Sequence, residues 1–477
     1  MRPADERGMS LIAVLLIGAV LTALAIAVAT TTEAALDRAG ASKRQSTAFQ
    51  AAEAGIDDYI AKLTEDRLYY GHFVHPAEDD RAPAGSQTVD GAGVRRWTGD
   101  LAWTYPSAPV RWVSLANGYE YHLDIEPPTA TRSGVRIRST GRRAGDSADA
   151  RTLEVLVRAS SVADFFMITN NDIRYGSTAV TYGKVYAGID ESSGTPRNID
   201  HEGVAHADLY AEGRILDAAN VDYEDGAAGY SGYSASGTPL SASDPAQIRS
   251  KVRNPIRFGD FVVALAEIRR AAEHGGGLLL DNPAVHAWRL TFRANGVVDV
   301  ARCTRSGSNH VAAVRPSCIA HGTYSVPSIG AIYAEQSVIV SGSGSGTAAD
   351  QVSRVNGRVT VASNADIVVA NDISYVVPGE DVLGLIARND VIIAKWTPTN
   401  LTWTASVIAQ TGRRRSWDSS GSHGTALFTG SVATNGSPYM DMFSVREYSY
   451  DRNLVYLQPP YFPVLEEAYT VLFYREL

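Results

Sequence analysis

Residues 9–30 form a run of 22 positions without a charge, MSLIAVLLIGAVLTALAIAVAT. At about 1.5 Å rise per residue, a helix of that length crosses a hydrocarbon layer of roughly 30 Å. The pattern then changes without a break. Residues 33–63 contain no proline and are rich in Ala, Glu, Lys and Gln, all strong helix formers. Within them Phe49, Ala52, Ile56, Tyr59, Ile60 and Leu63 recur at helical spacing and make one apolar stripe. The pattern predicts one helix over 9–63, apolar all round at first and amphipathic afterwards. A cleaved secretory signal has a shorter apolar region and does not continue in this way.

Beyond the helix the period shortens. Residues 135–142 and 151–160 alternate apolar and polar positions, as half-exposed strands do. They predict a small sheet, within 64–160, lying on the amphipathic half of the helix. From residue 161 onward, short runs of β-branched and aromatic residues recur between Gly, Asn and Asp. Examples lie at 183–188, 329–334, 337–340, 357–361, 366–369, 384–387, 390–394 and 405–409. Short buried strands with turn residues at each corner predict an irregular right-handed parallel β-solenoid over 161–477. An antiparallel β-sandwich is the rival, and it asks for stricter alternation. A helical insertion at 260–275 carries Phe261, Val262, Leu265, Ile268 and Ala272, then stops at three glycines. The expected fold is therefore mainly β with a long N-terminal α-helix.

Composition narrows the function. The chain has 42 Gly and 23 Tyr but 5 Met, which suits a turn-rich β protein. Its net charge of -9 disfavours a generally basic nucleic-acid binder and leaves room for a local basic patch.

The segment at 7–30, followed by AFQAAEAGI at 48–56, resembles the N-terminus of type IV pilins. It is most similar to the PilX-type minor pilins. Their signature falls here on Ala48, Ala51, Ala52, Glu53, Ala54 and Gly55. The resemblance implies a prepilin leader at 1–8, cleaved by prepilin peptidase between Gly8 and Met9. It implies a single-pass helix in the inner membrane with the bulk of the chain outside, until the subunit enters a filament. The implied partners are other minor and major pilins and the inner-membrane assembly platform. Shaft subunits of this family usually begin with Phe and carry Glu at the fifth mature position. This chain has Met9 and Ala13 there. That departure points to a minor, tip-located member. The runs at 356–375 and 383–394, and the PPYFP near the end, resemble the β-helical domain behind ComZ-like PilX-type N-termini.

The implied role is a minor pilin that takes part in pilus assembly and displays its β body, for DNA binding in natural transformation or for adhesion. A pseudopilin of a type II secretion system and an exported solenoid enzyme acting on polysaccharide are the alternatives. Against the enzyme, no nucleophile elbow, phosphate loop or dinucleotide fingerprint is present. His201 and His206 are five apart beside a glycine, which is wrong for zinc on a helix. The expectation is no enzyme, no cofactor and no metal. Asn and Asp at the corners, such as Asn364, Asp366, Asn389 and Asp390, suit turn capping better than calcium. Cys303 and Cys318 bracket a polar loop. One disulfide is expected in an exported protein, and two thiols otherwise. Arg413, Arg414 and Arg415 beside Trp417 suggest a patch for a phosphate backbone and a stacked base, with a solvated loop as the plainer reading.

Overall fold

The computed structural model of the chain describes residues 7–65, 87–89, 95–97, 112–126, 134–177, 179–202, 204–216, 248–249, 256–342 and 352–477. Helix α1 runs unbroken over Arg7–Glu65. Its segment Val14–Thr32 has a mean hydropathy of 2.4 and is long and apolar enough to cross a membrane. Four threonines within it return their hydroxyls to the helix, as when Thr22 Oγ1 donates to Gly18 O at 2.8 Å. No threonine in this stretch therefore presents an unpaired donor to lipid.

The second half of α1 lies on an antiparallel sheet. The strands Val113–Ser114, Tyr119–Glu126, Val135–Arg143, Asp146–Ser161 and Val464–Glu476 follow one another across it. Ala52, Ile56, Tyr59 and Leu63 pack on Tyr121, Leu123, Val135, Ile137, Leu153 and Val155 in one core. The alternation in 135–142 thus reads as strand because its odd positions face the helix.

The remaining described chain is a stack of parallel strands. One face carries a register column of ten positions: Leu278, Ile332, Val361, Leu385, Val407, Val432, Met167, Val185, Leu209 and Ile248. The parallel pairing and this aliphatic column set a solenoid against the sandwich alternative. A second face stacks Ser337–Val340, Ile367–Val369, Val391–Ile393 and Arg414–Ser416. The corner Asp and Asn side chains reach the next rung. Asp366 Oδ1 accepts from Asp390 N at 3.0 Å, Asp390 Oδ1 from Arg413 N at 2.8 Å, and Asp372 Oδ1 from Thr402 N at 2.9 Å.

The order of the column shows an unusual path. The chain joins the stack in the middle, at Phe165–Thr169, and proceeds to one end at Ile248–Arg249. It resumes at the opposite end with Leu278–Leu280 and returns to the middle, where His423–Thr434 pairs with Phe165–Thr169. Helix α2, Val262–His274, precedes that second series and packs Leu265, Ile268 and Ala272 against the outer side of the first face.

One expected boundary needs correction. The rung pattern assigns all of 161–477 to the solenoid, yet Val464–Glu476 pairs with Asp146–Ser161 and completes the first sheet. The solenoid is an insertion between two neighbouring strands of that sheet. A register partner so far along the chain leaves no local pattern, which is why the sequence hides it.

Candidate assembly helix and surface sites

The AAEAG signature works as a close-packing device. Ala48, Ala51 and Ala52 are buried on the sheet. Opposite them stands Gly141, where a side chain would run into the backbone of Ala48 and Ala52. At Gly55 a Cβ would stand 2.7 Å from Tyr121 Cδ2. Small residues on both surfaces bring the helix backbone down onto the strand. Glu53 sits to one side, where the Tyr474 hydroxyl donates to it at 3.4 Å. The hydroxyl of Tyr474 is pushed up to about 12 by burial and by the Glu53 charge. Of the expected processing position, Gly8 and Met9 fall in the first turns of α1, and the side chain of Met9 lies outside the described residues, as do residues 1–6 of the leader and the side chain of Ala13.

The returning strand is held by a row of charges. Glu154 is fully buried and accepts from Arg138 Nε at 2.5 Å and from Arg475 Nη2 at 2.5 Å. Both arginines are its register partners, one on each neighbouring strand. Burial alone would raise the Glu154 carboxyl, but the two guanidinium hydrogen bonds outweigh it and hold it below its ordinary value.

The two connections between sheet and solenoid meet at a second buried pair. Arg158 and Asp164 form a two-pronged bridge at 2.6 and 3.2 Å, with side chains 6% and 8% exposed. Asp164 also accepts from Ser161 N, and Val162 N donates to Pro463 O at 3.0 Å across the two connections. Sequence reasoning missed both Glu154 and the Arg158–Asp164 pair. Glu154 and Arg158 read as ordinary charges in an alternating strand, and Asp164 falls just past its end.

Of the arginine cluster at 413–417, Arg414 leaves the surface, while Arg413 and Arg415 stay on the outer side with Trp417. Arg414 points inward and is 2% exposed. Arg415 Nε is bound to Asp390 Oδ2 at 2.6 Å. Burial would lower its guanidinium, and Asp390 overrides that to raise it. Trp417 is half-buried and stacks on His310 with ring centres 5.1 Å apart. Arg413 alone of the three is exposed, its guanidinium carbon 6.0 Å from the centre of the Tyr439 ring. Strand alternation turns Arg414 inward and returns Arg415 to the side of Arg413.

Cys303 and Cys318 are joined by a disulfide between directly opposed strand positions. The loop between them folds over the outer side of the second face. There Trp396 Nε1 donates to Val311 O at 3.0 Å and His310 pairs with Asp366 at 3.0 Å. His201 is buried, tilted against Tyr175 and bonded to Thr181, while His206 stacks on Tyr182. Among the described residues no group of three or more His, Cys, Asp or Glu is placed to hold a metal.

No protein-family model matches the chain, and no curated protein matches it in sequence. A solved structure does. The chain is similar to the competence-associated pilin ComZ from Thermus thermophilus, at 13% identity and a TM-score of 0.29, over 91% of this chain and 97% of that one. A TM-score of that size does not establish a common function, so the helix, sheet and solenoid stand on their own geometry.

Proposed function

We propose that this chain is a minor, tip-type subunit of a type IV filament, anchored by the first half of α1 and displaying the solenoid outside the membrane. The observation that carries this reading is a single helix that passes from a membrane-length apolar segment to an amphipathic half seated on an antiparallel sheet through Ala51, Ala52 and Gly55. An enzyme tethered by a plain anchor has no need for a continuous helix that is half membrane span and half sheet-bound. The lack of a carboxylate at Ala13 favours an end position over a repeating one, since a shaft subunit offers that group to its neighbour's amine. The solenoid is the displayed body in this reading. At 413–417, DNA is a candidate ligand only through Arg413, Arg415 and Trp417, because Arg414 is buried and Arg415 is already paired with Asp390.

The test is a strain lacking the chain, with filaments sheared from the surface and the major pilin quantified. Loss of filaments is expected, with restoration by the intact chain. Normal filaments together with failed protein secretion would overturn the pilus assignment in favour of a secretion pseudopilin.

A further inference from the structure

The first face of the solenoid is continuous through the middle of the stack, but the second is not. Arg414–Ser416 is the last strand of its sheet, and Ile173–Tyr175 ends the sheet on the far side. Between them stands one isolated bridge, Arg415 to Tyr439. At this seam Arg414 takes the inward register position that Val391, Ile367 and Val338 hold on the rungs before it. A charge replaces an aliphatic side chain in the lumen.

The surroundings of Arg414 are rich in donors and aromatic rings. Its guanidinium carbon lies 5.4 Å from the centre of Phe428 and 4.8 Å from that of Tyr448. The Tyr448 hydroxyl bonds to it. Its Nε and Nη1 are buried without a partner among the described residues, as are the Tyr175 hydroxyl and Trp403 Nε1. Trp403 packs on Phe428 with ring centres 4.5 Å apart. Among the described residues the groups that act on Arg414 are the hydroxyls of Tyr448 and Tyr175, and none of them is a carboxylate. A guanidinium does not shed its proton, and a buried charge without a counter-charge is strongly unfavourable. Tyrosinate does not supply the missing charge, because burial pushes the Tyr175 hydroxyl far above its ordinary value and keeps it neutral.

We propose that the seam binds a small monovalent anion of the halide class, held by Arg414 Nε and Nη1 with the Tyr175 hydroxyl donating beside them. The ring of Tyr448 beside the guanidinium is 36% exposed, so the ion would enter past it. The rings of Phe428 and Tyr448 beside the guanidinium, with Trp403 packed on Phe428, make a compact anion the ligand to test rather than a larger one. The bound anion's charge would tie the two halves of the stack at the seam, where the second face lacks strand pairing among the described residues. The site is independent of any role in a filament.

The experiment uses the full chain in detergent, unfolded by heat at constant ionic strength while sodium gluconate is replaced by chloride or bromide. A saturable rise of roughly 2–4 °C in midpoint is expected. Arg414→Met should abolish it, while Arg413→Ala, at the exposed neighbour, should retain it. If Arg414→Met does not fold, crystals of the unaltered chain grown in bromide decide the matter through an anomalous peak within hydrogen-bond distance of Arg414. A midpoint indifferent to halide in the unaltered chain, or a seam holding only water in bromide crystals, overturns the proposal.

Discussion

At the scale of single residues, burial decides which charges matter. Arg158 and Asp164 lie out of solvent where the chain passes between sheet and solenoid. Removing one partner leaves the other charge buried and alone. Asp164→Ala is therefore expected to destabilise by about 3–5 kcal/mol, read from urea unfolding. Arg413 is exposed, and Arg413→Ala should stay within about 0.5 kcal/mol of the unaltered chain in the same assay. The run of three arginines looks uniform in the sequence. Alternation splits it into an exposed residue, a buried residue and a residue paired with Asp390.

At the scale of elements, the helix and its sheet depend on close approach. Replacing Gly55 by Leu forces a side chain into Tyr121 and Ser139 and must lift α1 from the strand. The expected result is a lower unfolding midpoint for the helix–sheet unit, with easier proteolysis after the apolar segment. The Glu154 row predicts an acid response. Its carboxyl titrates lower when folded than unfolded, so its stabilisation is present above the ordinary Glu value, about 4.3. That stabilisation is lost as pH falls through the lower folded value. Glu154→Gln should flatten the acid limb of the stability profile, and an unchanged limb would show that the row does not hold the last strand. The disulfide closes a loop of 15 residues, and its reduction is expected to cost about 3 kcal/mol, seen as a lower midpoint with reductant.

At the scale of the molecule, the solenoid hangs from the small sheet as an insertion. Ser161 and Val464 are register partners, so the two ends of the inserted body are already adjacent. Joining them by a short turn, with 162–463 removed, is expected to leave a folded helix and five-stranded sheet. Circular dichroism and cooperative thermal unfolding check it; a chain that no longer unfolds cooperatively would show that the sheet needs the solenoid.

Local order is legible in the sequence by itself. A charge-free run, a stripe at helical spacing and short strands with polar corners are written in neighbouring residues, so they specify α1, the alternating strands and the rungs. The AAEAG motif locates the helix's packing surface, though its partner Gly141 stands far along the chain, in a different element. What only the tertiary structure decided was pairing over long distances. The return of Val464–Glu476 to the first sheet, the start of the stack in its middle and the inward turn of Arg414 all depend on registers between remote segments. Periodicity states which side of an element is apolar. It does not state which distant strand covers that side, because many strands of this chain are alike in length and composition, and the choice among them is made by the packing of the whole.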